Sequence, residues 1–237
     1  TDAYLSKKQG LVGMHASFTV SDNTIKQAVS LAQKHNSGIH IHVAEDDYDQ
    51  KHSISNYQKR VVERLNSFGV LDFEKTILGH CLYLEDNERK IISESKSWIV
   101  QNMESNQNNR VGYFNSKGLG NRIMLGTDGM HSDMLQSARS VFLSGAGNEY
   151  NSPIDTYKRF RNVHNYIAVN QLSGDGDNNL VILNYDSPTE ITESNFVSHF
   201  VYGFNSNHVE TLISNGNLIM KNKEILNVDE AEILKFT

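Results

Sequence analysis

The chain has 237 residues, 38% of them hydrophobic and 21% charged, with a net charge of -6 at neutral pH. No apolar run approaches the ~20 residues of a membrane-spanning helix, and no basic segment leads into an apolar one as in a secretory signal. The acidic balance disfavours a nucleic-acid partner, and the single cysteine, Cys81, excludes an intrachain disulfide framework and a cysteine-based zinc module.

These features lead us to expect a cytoplasmic protein with neither membrane nor nucleic-acid partners. The first residue is Thr1 rather than Met, as expected of a processed chain or a piece of a longer one.

Short apolar runs recur through the first half: Leu11 to Met14, Ile39 to Val43, Thr76 to Gly79, Trp98 to Val100 and Ile123 to Gly126. Their lengths suit buried parallel strands. Helical patterns separate them. Ser21 or Asp22 can cap a helix carrying Ile25, Ala28, Val29 and Ala32. Tyr57, Val61, Val62, Leu65 and Phe68 form a second stripe, closed by Gly69. Further helices are expected over 85–95, 134–143 and 155–170, and a loop over 104–110. Alternating strands and helices imply a parallel sheet with helical crossovers. From about residue 178 the pattern turns to short strands at 180–183, 209–213 and 218–220, with a hairpin at Asn215-Gly216. The expected organisation is therefore an α/β part over 1–177 and a small β part over 178–237.

In parallel α/β folds the chemistry collects at the C-terminal ends of strands. Four of the five expected strands end there in His15, His42, His80 and Asp128. Each is a group able to bind metal or move a proton, whereas a single one would read as an ordinary strand-end polar residue. In the run Ile39 to Glu45, His40 and His42 share a face, because side chains alternate along a strand. His42 and Glu45 straddle the strand exit. That spacing can set an imidazole on a metal and a free carboxylate on the same water, whose pKa the metal lowers. His40 is expected inside the barrel or behind the site. Asp128, in Gly126-Thr127-Asp128-Gly129, leaves one carboxylate at the rim. Cys81 reads as a small packing residue rather than a nucleophile.

The segments HIHVAED, ILGHCLYL and IMLGTDGMHSDM resemble the amidohydrolase superfamily in its aminohydrolase branch, with support from GMHASFTVSD, VQNMESNQNNRVGY and NYDSPTEI. The resemblance runs from Gly13 to about Asn217. It implies a TIM-like (β/α)8 barrel with a small β-sandwich. This chain would supply the C-terminal five βα units and part of the sandwich. It implies one divalent metal, zinc or iron, and hydrolysis of a C–N bond in a heterocyclic ring amidine with release of ammonia. His42 and Asp128 resemble metal ligands. Glu45 resembles the proton shuttle, His80 the histidine that orients the nucleophile, and Asp128 also a proton acceptor. His15 resembles a substrate-side histidine. Asn106 and Arg110, in the loop expected over 104–110, are candidate substrate contacts. Met14-His15-Ala16 stands where two-metal relatives carry a carboxylated lysine, which favours one metal.

Gln101, Met103, Asn184 and His131 depart from the residues usual in the family. The His-x-His of the first barrel strand has no counterpart. The chain is thus expected to act with the other half of a barrel, or as a homo-oligomer, and not to be a competent enzyme alone. The same site is compatible with cyclic amide hydrolysis or dechlorination, and a half-barrel without catalysis is the non-enzymatic alternative.

Overall fold

A computed structural model describes residues 1–174 and 176–236. Five parallel strands form the main sheet in the order β1 (Val12–Ala16), β2 (Ile39–Val43), β3 (Ile77–His80), β4 (Trp98–Gln101), β5 (Ile123–Leu125). Spatial order follows chain order throughout, which is the arrangement of a barrel arc and not of a doubly wound sheet with its reversal point. The sequence-predicted strands are all present, within a residue or two at their ends. Among the described residues the five strands form an open arc.

Helices connect the strands. After the short α1 (Asp2–Leu5), α2 (Asp22–Lys34) begins at Ser21, whose hydroxyl accepts the Thr24 N–H. It buries Ile25, Ala28 and Ala32, three of the four residues of the expected stripe. The second expected helix is two. Tyr57 ends α3 (Asp47–Tyr57), Gln58 turns left-handed with φ 55°, and α4 (Val61–Ser67) starts afresh. Apolar spacing alone bridged this break, because Tyr57 and Val61 fall four apart. Then come α5 (Asp86–Glu94), α6 (Met103–Asn108), α7 (Met134–Asn148) and α8 (Pro153–Val169). The segment expected as a loop over 104–110 is thus mostly helix α6.

Ile39, Ile41 and Val43 are fully buried beneath the helices, while His40 and His42 point to the opposite, open face. His40 is exposed on that open face of the five-strand arc, on the same side as His42.

A second sheet, antiparallel, has the order β6 (Leu180–Leu183), β7 (Val209–Ser214), β8 (Asn217–Lys221), β9 (Glu224–Ile225). The chain between β6 and β7 returns to the main core. Phe200, Val201 and Phe204 pack into it, and Arg139 of α7 donates to the carbonyls of Val201, Tyr202 and Phe204 at 3.0, 3.1 and 2.8 Å.

A buried cation, Arg64, and a partly buried one, Arg159, brace the framework. Arg64 of α4 donates to the Ser17 and Val20 carbonyls at 2.7 and 2.8 Å and to Asp22 at 2.9 Å, with its guanidinium 3.4 Å from the Tyr57 ring centre. Arg159 of α8 pairs with Glu149 at 2.7 Å and donates to Gln101 at 2.9 Å, tying the end of β4 to the outer helices. Burial opposes ionisation of Glu149, but Arg159 and the Ser116 hydroxyl and N–H outweigh it and hold its carboxyl below the ordinary range. Its stabilisation is therefore present above that range and lost as pH falls through the lowered folded value. A Glu149→Gln variant, which leaves the partly buried Arg159 guanidinium with neutral acceptors only, should lose about 1–3 kcal/mol in urea unfolding at neutral pH. The difference from the parent should shrink in acid, and a gap constant down to strong acid would contradict this account.

Candidate active site

The C-terminal edge of the main sheet collects the polar residues. His42 leaves β2 half-buried, and Glu45 follows across a turn in which Ala44 is left-handed at φ 48°. His42 Nδ1 lies 3.7 Å from Glu45 Oε2. His80 ends β3. In strand register it pairs with Val43, whose side chain packs under the helices. Regular alternation would send His80 the same way. Instead its φ is 68°, and the ring lies against His42 with centroids 4.9 Å apart. The left-handed residue is what brings the imidazole to the site, and it is retained because the surrounding packing fixes it.

His80 is wholly buried. Its Nδ1 lies 2.7 Å from Asn106 Oδ1, so Nδ1–H donates there. Among the described residues its Nε2 has no hydrogen-bond partner, and it faces Glu45 Oε2 at 3.5 Å and Asp128 Oδ2 at 3.7 Å. Asp128 is itself left-handed at φ 54° and accepts from the Ser105 hydroxyl at 2.6 Å and the Gly129 N–H at 2.7 Å. His15 is exposed at the end of β1, where the register with β2 shifts between Gly13 and Ala16, and its ring centre lies 5.4 Å from that of His42.

The charges are mutually supporting. Glu45 raises the His42 pKa against the opposing effect of burial. Glu45 is lowered, first by His42, with His80 and the Asn109 amide adding to the effect. Burial opposes ionisation of Asp128, but Ser105, the Gly129 N–H, His80 and His42 hold its carboxyl low. Behind Glu45 lies Asp49 of α3, buried and pushed up to about 6 by burial, with backbone N–H groups of Glu45 and Ala44 opposing the rise.

A cation fits this donor set. Ligand atoms of His42, Glu45 and His80 all lie within 4.8 Å of one another. The unpartnered Nε2 of His80 presents a lone pair to two carboxylates, an arrangement that a divalent ion would satisfy. The compact trio includes Glu45 and His80, which the sequence assigned to catalysis. Asp128 borders it through His80.

Five residues predicted from sequence therefore converge: His15, His42, Glu45, His80 and Asp128. Two do not contact the site as expected. Asn106 is fully buried behind His80, so it holds that ring and has no open surface for substrate. Arg110 is exposed and left-handed beyond α6, and among the described residues no side-chain bond ties it to the cluster. Sequence reasoning missed Asp49 altogether. Ser105 and Asn109 were visible only as members of a polar stretch. The signal for them was the i, i+4 spacing of a short helix and its C-cap residue, hidden by reading that stretch as a loop.

Residues 6–219 match the model of the amidohydrolase family, and the chain belongs to that family. Among curated relatives, it is 30% identical to a 5'-deoxyadenosine deaminase of Methanococcus vannielii, over 96% of this chain and 57% of the relative. It is 28% identical to a 5-methylthioadenosine/S-adenosylhomocysteine deaminase of Thermoanaerobacter pseudethanolicus, over 94% and 56%. The chain thus spans a little over half the length of these relatives. The fold is similar to that of an adenosine deaminase from Xanthomonas campestris with bound zinc, with TM-score 0.83 and 20% identity over 95% of this chain and 55% of that one. It is also similar to E. coli guanine deaminase, with TM-score 0.74 and 18% identity over 86% and 53%.

Cys81, next to His80, is fully buried, and burial pushes its thiol well above the ordinary range. A buried protonated thiol is inert. A colourimetric thiol reagent should therefore leave Cys81 unmodified in the folded chain and titrate it fully in denaturant. Fast modification of folded protein would restore the thiol as a candidate nucleophile.

Proposed function

We propose that this chain carries the catalytic edge of a metal-dependent aminohydrolase that removes the amino group of a heterocyclic ring amidine, with an adenine nucleoside as the substrate class. The observation that carries the reading is the convergence of His42, Glu45 and His80 within ligand distance at the C-terminal ends of neighbouring parallel strands. The deaminase names of the curated relatives support the substrate class. Segments GMHASFTVSD, VQNMESNQNNRVGY and NYDSPTEI further support a subgroup resembling SsnA, an aminohydrolase of selenium metabolism.

His42 and Asp128 are the residues proposed to hold one divalent ion, zinc or iron, with His80 and Glu45 bordering it. When bound, the ion supplies Lewis acidity that brings the pKa of a water at the site to near 7. Glu45 takes the proton of the attacking water and delivers it to the ring nitrogen, while the oxygen adds to the amino-bearing carbon. The proton remaining on that oxygen passes to Asp128, which transfers it to the leaving amine, the C–N bond breaks and ammonia departs. The lowered carboxyl of Glu45 keeps it ready to accept, and the ring nitrogen supplies its proton sink. His80 faces the same space, where its bare Nε2 can accept a hydrogen bond from the attacking water and orient it. His15, exposed beside His42, is placed to touch the substrate ring.

The two-part organisation follows the same proposal: residues 1–177 carry the site and 178–237 the small sheet, clasped by the segment His199–Phe204. Leu180, Val181 and Ile182 on β6 are 51%, 62% and 46% exposed, which supports association with further polypeptide, either the other half of the barrel or a second copy. No described helix is long and apolar enough to cross a membrane. The one cysteine, a buried free thiol, supports a cytoplasmic setting.

The test is a Glu45→Gln variant of the protein that carries this chain, assayed for ammonia release from adenine nucleosides. Zinc content should stay close to that of the parent while kcat falls by about 100- to 10,000-fold. Retained turnover would remove Glu45 from the proton path. A parent that loads zinc yet releases no ammonia from any ring amidine would overturn the substrate class.

A further inference from the structure

Strand β4 is the one strand of the main sheet that ends without a chemistry-bearing side chain. It is followed by α6, a helix of six residues. Three residues in this stretch each reach a site residue belonging to a different strand. Ser105 donates its hydroxyl to Asp128, after β5, at 2.6 Å. Asn106 accepts from His80, at the end of β3, at 2.7 Å. Asn109, just past the helix, donates to Glu45, after β2, at 3.3 Å. Glu104 adds a fourth link, lying 2.8 Å from His131 in the loop that follows Asp128 and accepting from Gln136 and Ser140 at 3.0 Å each.

From this geometry we infer that Ser105, Asn106 and Asn109 form a positioning clamp, in which one short helix with its C-cap residue sets the mutual spacing of Asp128, His80 and Glu45. The inference rests on the functional reading above for what the clamp serves, but the contacts stand without it. Two physical points favour a clamp over incidental packing. His80 and Asp128 both hold left-handed backbone at φ 68° and 54°, a conformation that needs side-chain anchoring to persist. The bond to Asn106 also selects the ring tautomer. With Nδ1–H given to Asn106, the bare Nε2 is the atom turned toward Glu45 and Asp128. Partners of this kind fix ring orientation, and their loss typically lowers metal affinity or activity by about 10- to 100-fold.

The clamp makes no claim that these residues touch substrate; they act through the groups they hold. The test compares Asn106→Ala, Asn106→Asp, Ser105→Ala and Asn109→Ala with Gln107→Ala, a change on the exposed side of the same helix. All are checked for folding by circular dichroism. The first readout is the pair of ring-nitrogen resonances of His80 in histidine-labelled protein at one fixed pH without metal. The second is zinc affinity by competition with a chelating dye, and the third is kcat against KM for ammonia release.

The parent should show Nδ1 protonated and Nε2 bare. Asn106→Ala should move both resonances and weaken zinc about 10- to 100-fold, and Asn106→Asp, which keeps an acceptor, should restore the Nδ1–H pattern. Ser105→Ala and Asn109→Ala should lower kcat more than they change KM, and Gln107→Ala should match the parent. If Asn106→Ala does not fold, Asn106→Asp and Ser105→Ala decide the matter through the same readouts. Parent-like resonances in Asn106→Ala, a zinc affinity of that variant within twofold of Gln107→Ala, or a parent-like kcat in both Ser105→Ala and Asn109→Ala would overturn the clamp. Absence of ammonia release in the parent would count against the functional reading alone, because the resonances and zinc affinity still judge the clamp.

Discussion

The candidate site depends on how one buried imidazole is held. His80 has no exposed surface, sits on left-handed backbone and gives one ring nitrogen to Asn106 at 2.7 Å. Its other nitrogen is thereby committed to the space shared by Glu45, Asp128 and His42. Were His80 to follow the regular alternation of its strand, it would lie with Val43 under the helices, and the three remaining groups would lose their common neighbour. Two carboxylates and two imidazoles within a few ångströms are costly to assemble in a partly buried place unless opposite charge or a cation sits among them. The lowered carboxyls of Glu45 and Asp128 and the raised imidazole of His42 are the electrostatic record of that balance.

The rest of the framework serves to hold the strand ends still. Gly126, where β5 gives way to the Asp128 turn, has no room for a side chain: a Cβ there would fall 2.5 Å from Asn102 Oδ1 and from Val100 Cγ1. The close approach seats the β5 exit directly against the β4 exit, and so brings Asp128 within reach of Ser105. Arg159 reaches from α8 to Gln101 at the end of β4, and Arg64 fixes the start of α2 and the turn after β1 through backbone carbonyls. These guanidiniums, Arg64 buried and Arg159 partly so, are each supplied with several acceptors, which is the condition for a charge to be tolerated away from water.

The open face of the sheet and the bare strand β6 belong to the same picture. His40 and His42 share a face, but only His42 is half-covered, while His40 stands exposed. The side chains of Leu180, Val181 and Ile182 are apolar and about half exposed in succession, so both faces of β6 are partly open there, while Leu183 packs against the main core. The association proposed above would use these exposed surfaces, and the proposed chemistry lies on the same open face of the main sheet as His40 and His42.

What the sequence determined by itself was local and periodic. Runs of β-branched and aliphatic residues marked all five parallel strands, since a strand buried on the helix side needs such a run. Ser21 marked the start of α2, and His15, His42, His80 and Asp128 were legible as strand-end residues that the structure brings together in the candidate site, because the parallel topology sends those ends to one edge. The His42 to Glu45 spacing was legible for the same reason. Tertiary structure decided the rest. Apolar spacing could not separate α3 from α4, because the break at Gln58 lies in its left-handed φ and leaves the stripe in phase. The polar stretch 104–110 carried no apolar period, so neither its helix nor the inward direction of Asn106 was visible. Asn106 and Ser105 acquire their roles from partners 26 and 23 residues away in the chain, and Asp49 acquires its own from burial beneath the Glu45 turn. Contacts between separate strands depend on how the chain brings distant residues together, and that is information a linear pattern does not carry.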